Sequence, residues 1–151
     1  MRPRGPRNKN QKPPRHDLGG FAMRSTITPI PRIPFREIAD EVLGKDYELS
    51  LVICADKLAR RINRSYRNKD YSPNVLSFPL ESSSGELFLN VRKAQREAKE
   101  MRISVRERLA HLYVHGCFHL AGYDHSDEME HKEDIILTKF RLIDHKDSSD
   151  L

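Results

Sequence analysis

His115-Gly116-Cys117-Phe118-His119-Leu120-Ala121-Gly122-Tyr123-Asp124-His125 is the stretch around which the rest of the chain is arranged. An α-helix turns once every ~3.6 residues, so His115 and His119 project from one face with their rings close enough to share an ion. Gly122 is the residue type that most readily takes the left-handed conformation at a helix end. The chain therefore turns back there and brings His125 round as a third imidazole. Three neutral imidazoles with one coordination position open form a catalytic zinc arrangement, with water in the fourth place. A structural site is closed by four protein ligands and often uses cysteine.

His111 lies on the same face, but two helical turns, about 12 Å, separate it from His119, whereas zinc–nitrogen bonds are about 2.1 Å. All three cannot hold one ion. The chain beyond Gly122 returns nearest to His119, so the expected ligands are His115, His119 and His125. His111 is left for packing or for supporting a ligand from behind. Cys117 is rotated away by about 100° per residue and reads as a small buried hydrophobe.

The spacing fits the zinc-peptidase pattern H-E-x-x-H-x-x-G-x-x-H at every position but one. Gly116 stands where the glutamate general base belongs, which argues against peptide hydrolysis by that route. Met129 is the only methionine beyond the site, and no Met-turn pattern follows.

Working outward, the histidine helix is predicted over Val105 to Ala121, with Leu109, Leu112, Tyr113 and Phe118 available for packing. A basic amphipathic helix precedes it over Val91 to Met101. Pro34 suits the first turn of a helix over Phe35 to Leu43, and Gly44 suits its stop. Glu48 to Ala55 is apolar on both sides, the pattern of an interior strand. Asp56 is placed to cap a helix running to about Tyr66, with Leu58, Ile62 and Ser65 inward and Lys57, Arg60, Arg61 and Arg64 outward. Val75 to Leu80 and Glu86 to Asn90 read as strands of a hairpin joined through Ser82-Ser83-Ser84-Gly85. Ser126-Asp127-Glu128 starts a last helix, in which Met129, Ile135, Ile136, Leu137 and Phe140 are expected to pack. Together these give an α+β fold: a small mixed β-sheet packed with helices, with the three-histidine site at the end of a central helix.

A chain of 151 residues buries one core. The expected organisation is a disordered basic tail over residues 1–22, one domain over residues 23–145 and a frayed end over residues 146–151. No apolar run is long enough to cross a membrane, and no hydrophobic segment follows the basic N-terminus, so a cytoplasmic protein is expected. Cys54 and Cys117 sit in apolar surroundings without a C-x-x-C pairing, as reduced thiols do. Residues 1–20 hold six Lys/Arg against one Asp, which equals the +5 net charge of the whole chain. The high pI is thus a property of the tail. That tail is either an RNA-binding arm or a segment upstream of a start at Met23. Charge is also polarised within the body: Asp56 to Asp70 carries six basic and two acidic residues, and Val91 to Arg108 seven and three. Asp124 to Leu151 reverses this, with nine acidic and four basic. A basic surface beside a metal site attracts RNA phosphates.

His115-Gly116-x-x-His119-Leu120-x-Gly122-Tyr123-Asp124-His125 closely resembles the signature of the YbeY family, metal-dependent endoribonucleases of ribosomal RNA maturation. The resemblance continues in Tyr66-Arg67-x-Lys69-Asp70 and in Asn74-Val75-Leu76-Ser77-Phe78-Pro79, in the same order, and covers roughly residues 24 to 143. It implies a single-strand-specific endoribonuclease that processes ribosomal RNA at the small subunit's 3′ end and serves ribosome quality control. One Zn2+ or another divalent transition ion is the implied cofactor. The implied partners are ribosomal RNA and the small ribosomal subunit or its assembly factors, with no membrane.

The resemblance also makes Arg67 the expected catalytic cation. A guanidinium keeps its proton, grips phosphate bidentately and stabilises charge developing on it. Lys69 is expected to assist. Asp124 either accepts a hydrogen bond that orients a histidine or stabilises its own turn. Glu86 follows Gly85 where the family usually has Gly-Asp, so a carboxylate that orients a ligand or binds substrate is displaced here by one methylene. Two other readings share the same histidines: a ribosome-assembly factor whose zinc only stabilises the fold, and a metal hydrolase of another substrate.

Overall fold

The computed structural model describes residues 20–143. Four strands, β1 (Phe21–Ser25), β2 (Glu48–Cys54), β3 (Val75–Glu81) and β4 (Ser84–Asn90), form one sheet in the order β1-β2-β4-β3. β2 runs parallel to both β1 and β4, and β3 runs antiparallel to β4. The connections dictate this mixture. Ser82 and Ser83 alone join β3 to β4, a turn that permits only antiparallel pairing, whereas the parallel neighbours are linked through helices. The helices are α1 (Phe35–Leu43), α2 (Asp56–Arg67), α3 (Val91–Met101), α4 (Val105–Leu120) and α5 (Asp127–Lys139).

Side chains alternate across a strand, and here both faces are covered. Leu49, Leu51 and Ile53 of β2 join Leu87 and Leu89 of β4 in the main core, with Leu109, Tyr113 and Cys117 of α4. Val52, Cys54 and Phe88 point the other way, into a smaller cluster with Leu76 and with Ala59 of α2. That is why β2 reads as apolar on both sides.

The central helix α4 is fixed at its N-terminus and along its length. Ser104 caps it by accepting from the Glu107 N–H at 3.0 Å. Tyr113, fully buried, donates its hydroxyl to the Phe35 carbonyl at 2.6 Å and meets the Phe35 ring edge-on at 4.9 Å. Burying such a ring contributes about 1.5–3 kcal/mol, and its hydroxyl does not oppose this because it is bonded. On the sheet side, Ser77 donates to the Gly116 carbonyl at 3.2 Å. A Cβ at position 116 would lie 2.8 Å from Leu87 Cδ1 and 3.0 Å from Ser77 Oγ, so only glycine lets the helix seat this closely.

Several local expectations need correction. β1 begins at Phe21, so the expected boundary at residue 23 falls inside a strand that the sequence reading did not find. Ala55 occupies the cap position of α2, and Asp56 is its first residue, whose carboxylate instead binds Arg96 and Asn90 at 2.9 Å. On α2, Leu58 and Ile62 pack half-buried against the Val52–Phe88 cluster as expected, but Ser65 is exposed and the fully buried positions are Ala59 and Asn63, the latter donating to the Tyr71 carbonyl at 3.1 Å. Ile135 is 52 % exposed because Met129, Glu133, Ile136 and Leu137 form the buried stripe of α5. The expected tails over residues 1–19 and 144–151 lie outside the described residues. Among the described residues, no helix is long and apolar enough to cross a membrane.

Candidate metal centre

α4 ends at Leu120, and Gly122 follows at φ +102°, the left-handed turn that brings the chain back. Three rings converge as a result. The centroids of His115 and His119 lie 4.4 Å apart, and His125 sits 4.8 Å from each. One ring nitrogen from each of the three falls within 4.8 Å of the others, so the group could hold a metal ion. A tetrahedral ion about 2.1 Å from its ligands would hold their nitrogens about 3.4 Å apart, a spacing within the range found here, from 3.0 Å between His115 and His119 to 4.8 Å at most.

The tautomers support the fit. His115 Nδ1 donates to Glu133 Oε2 at 2.7 Å, and His119 Nδ1 donates to the Tyr123 carbonyl at 2.9 Å. Each bond places the proton on Nδ1 and leaves an Nε2 lone pair, the arrangement of a supported metal ligand. The two Nε2 atoms lie 3.0 Å apart. Two lone pairs at that separation repel, and a shared cation turns the repulsion into ligation. Burial lowers the His115 pKa below its ordinary value against the opposing pull of Glu133, which keeps the ring neutral and able to ligate.

His111 is committed elsewhere. Its Nδ1 lies 3.3 Å from an Arg108 guanidinium N–H, and its Nε2 lies 3.2 Å from Glu133 Oε1. Both ring nitrogens are thus engaged. Glu133, 3 % exposed, spends one oxygen on each histidine.

The histidines open into a cleft of about 750 Å³, lined also by Tyr66, Arg67, Asn74, Ser77 and Arg108. Arg67 reaches it because α2 ends there: Asn68 caps the helix at φ 58° in the left-handed conformation. Arg60 and Arg64 meanwhile hold Asp70 at 2.8 and 3.4 Å, which fixes the loop that follows. Lys69 is exposed and is not among the residues lining this cleft, and Asp124 is exposed beside His125. The acceptors on His115 and His119 are Glu133 and the Tyr123 carbonyl, so neither takes a bond from Asp124. Glu86 pairs in register with Phe78 and lines a separate groove on the other face of the sheet.

Residues 30–141 match the family described as Endoribonuclease YbeY. The chain belongs to the YbeY endoribonuclease family. It is 38 % identical over 122 residues to Endoribonuclease YbeY of Alkaliphilus metalliredigens, covering 70 % of this chain and 79 % of that protein. It is 44 % identical over 97 residues to Endoribonuclease YbeY of Methylobacillus flagellatus, covering 62 % of this chain and 65 % of that protein. The solution structure of TM1509 from Thermotoga maritima shares the fold, with a TM-score of 0.59 at 22 % identity over 80 % of this chain and 91 % of that one.

Two groups at this YbeY site escaped the sequence reading: Glu133, behind the histidines, and Arg108, in the cleft lining. Glu133 carried a usable signal, a carboxylate on the same helical stripe as Met129, Ile136 and Leu137, where an apolar residue belongs. Arg108, whose side chain is 14 % exposed and held by Glu97 at 2.9 Å, carried none, since nothing in a charged helix separates a cleft arginine from a solvated one.

Proposed function

We propose that the chain is a single-strand-specific, metal-dependent endoribonuclease of ribosomal RNA, acting in the cytoplasm on the small subunit's 3′ end and in ribosome quality control. The observation that carries this reading is that three imidazoles and Arg67 line one cleft. A divalent ion held by His115, His119 and His125, in the first place Zn2+, supplies Lewis acidity there.

The chain's own residues account for the rest. Arg67 grips the non-bridging oxygens of the scissile phosphate and offsets the charge that grows as phosphorus becomes five-coordinate. Its side chain stays exposed to substrate while the helix end fixes its root. Arg108 adds a second guanidinium to the lining, and Glu97 restrains its position. Gly116 leaves bare the position where zinc peptidases carry their base, which favours phosphate over peptide chemistry. Family membership supports the choice of RNA, and single-strand preference fits a cleft whose floor must touch the phosphate directly.

The test is cleavage of a ribosomal RNA 3′-end precursor by the full chain, by the same protein after chelation and after metal is restored, and by Arg67→Ala. Cleavage that needs both metal and Arg67 is the expected result. A folded, metal-loaded protein that binds this RNA and leaves it intact overturns the reading in favour of an assembly factor.

A further inference from the structure

The sheet face opposite the histidines carries a second groove, of about 420 Å³, whose lining includes Arg24, Arg61, Tyr66, Phe78, Leu80 and Glu86. Its volume falls in the range of about 300–1,000 Å³ typical of small-molecule sites. We propose that this groove is a nucleobase subsite, which receives the base flanking the scissile phosphate and uses Glu86 to select bases that carry an exocyclic amino group. The proposal rests on the endoribonuclease reading.

Continuity with the cleft is the first argument. Tyr66 and Phe78 line both cavities, so they form the wall between them. Tyr66 and Arg67 are consecutive in the last turn of α2, where neighbouring side chains diverge by about 100°. A phosphate held by Arg67 therefore has a neighbouring nucleotide at the Tyr66 ring.

Aromatic chemistry is the second. Tyr66, Phe78 and Phe88 form a chain of edge-to-face rings with centroids 5.8 and 6.0 Å apart. Tyr66 stays 45 % exposed and Leu80 52 %, so apolar surface is available to a base. Stacking on aromatic rings is the sequence-tolerant way that proteins hold unpaired bases.

Charge is the third. Arg24 and Arg61 outnumber the one carboxylate, which suits a polyanion threading past. Glu86 is half-buried on β4, its backbone paired with β2 and β3, and among the described residues no ion pair or hydrogen bond engages its carboxylate. An ionised carboxylate only accepts hydrogen bonds. Cytosine, adenine and guanine offer it an amino group, and uracil offers none.

The test uses the full chain and a short single-stranded oligoribonucleotide with one 2-aminopurine moved along its length. Fluorescence is read by stopped flow, before cleavage. One position should be quenched on binding, and Tyr66→Leu, which keeps apolar area at an exposed site, should remove that quench and weaken binding about tenfold. Replacing the base at that position by uracil should weaken binding about tenfold in the wild type and leave Glu86→Gln nearly indifferent. A quench found nowhere, or one that survives Tyr66→Leu, overturns the subsite; a groove that takes a peptide gives the former. Uracil bound as well as cytosine by the wild type overturns the role of Glu86. Cleavage of the same oligonucleotide is scored separately, so an inactive protein that still shows the position-specific quench fails the nuclease reading and keeps the subsite.

Discussion

Glu133 Oε2 lies 2.7 Å from His115 Nδ1 while its Oε1 lies 3.2 Å from His111 Nε2, so one buried carboxylate of α5 holds two histidines of α4. The two helices otherwise meet through apolar contacts, among them Met129 and Leu137. This bridge sets the tautomer of a candidate ligand and removes a competitor from the metal in one stroke.

Glu133→Gln should therefore weaken metal binding about 10–100-fold with little change in fold. The amide keeps one acceptor oxygen but turns a donor toward the second imidazole, so one of the two rings loses its orientation. Competition against a chromogenic chelator reads the affinity, and circular dichroism reads the fold. Glu133→Ala should also cost stability, about 1–3 kcal/mol, because the part-buried His115 and His111 rings lose a charged hydrogen-bond acceptor. An affinity unchanged in Glu133→Gln would refute the orienting role.

The same pair sets a pH dependence. Burial moves the His115 pKa below its ordinary 6.5, and Glu133 restores only part of the difference. Below that value the unfolded chain takes up a proton that the folded chain declines, so stability of the metal-free protein falls as pH falls through it. Protons also compete with the metal for the ring, so affinity falls in the same direction. An NMR titration of the His115 ring in metal-free protein should give a midpoint under 6.5. A midpoint above it would mean that the carboxylate outweighs burial.

How much of this was legible in the sequence depended on whether a signal was local. The limits of α1 and α3 follow from Pro34, Gly44 and the apolar period, and the structure places both where the sequence does. The three histidines were legible because a helix and one glycine bring them together within a short stretch. β1 was not, because an edge strand with Arg24 and Ser25 in it needs Leu49 to Ile53 beside it before its pattern means anything. Arg67 gained its place from resemblance rather than from periodicity, since α2 is basic along most of its length. Glu86 shows the converse limit: register decides that it leaves the histidine face, and register is a property of the folded sheet.

Cys54 and Cys117 are both fully buried, and burial pushes each thiol up to about 12, Asp56 adding to the effect at Cys54. Thiolate is the reactive form, so both should resist a disulfide reagent in the native protein at pH 8. Full unfolding should release both, the whole cysteine content of the chain. Rapid reaction of either thiol without unfolding would place it at a surface.

Gly116 sets how closely α4 approaches the sheet, and two opposing magnitudes decide what replacing it does. Alanine gains about 1 kcal/mol of helix propensity over glycine. Its Cβ would sit 2.8 Å from Leu87 Cδ1 and 3.0 Å from Ser77 Oγ, and Leu87 is fully buried, so its methyl moves only against core neighbours. Overpacking of this kind costs about 1–3 kcal/mol, so Gly116→Ala should be destabilising by about 1 kcal/mol net. Chemical denaturation reads the loss. In a Leu87→Ala background the obstructing methyl is gone, and the same substitution should become neutral or stabilising, an interaction that a double-mutant cycle isolates. Gly116→Glu, which completes the peptidase pattern, should be worse than alanine in both backgrounds, because it drives a carboxylate into the helix–sheet contact. Equal costs for alanine with and without Leu87 would show that helix seating at this point is not what the glycine provides.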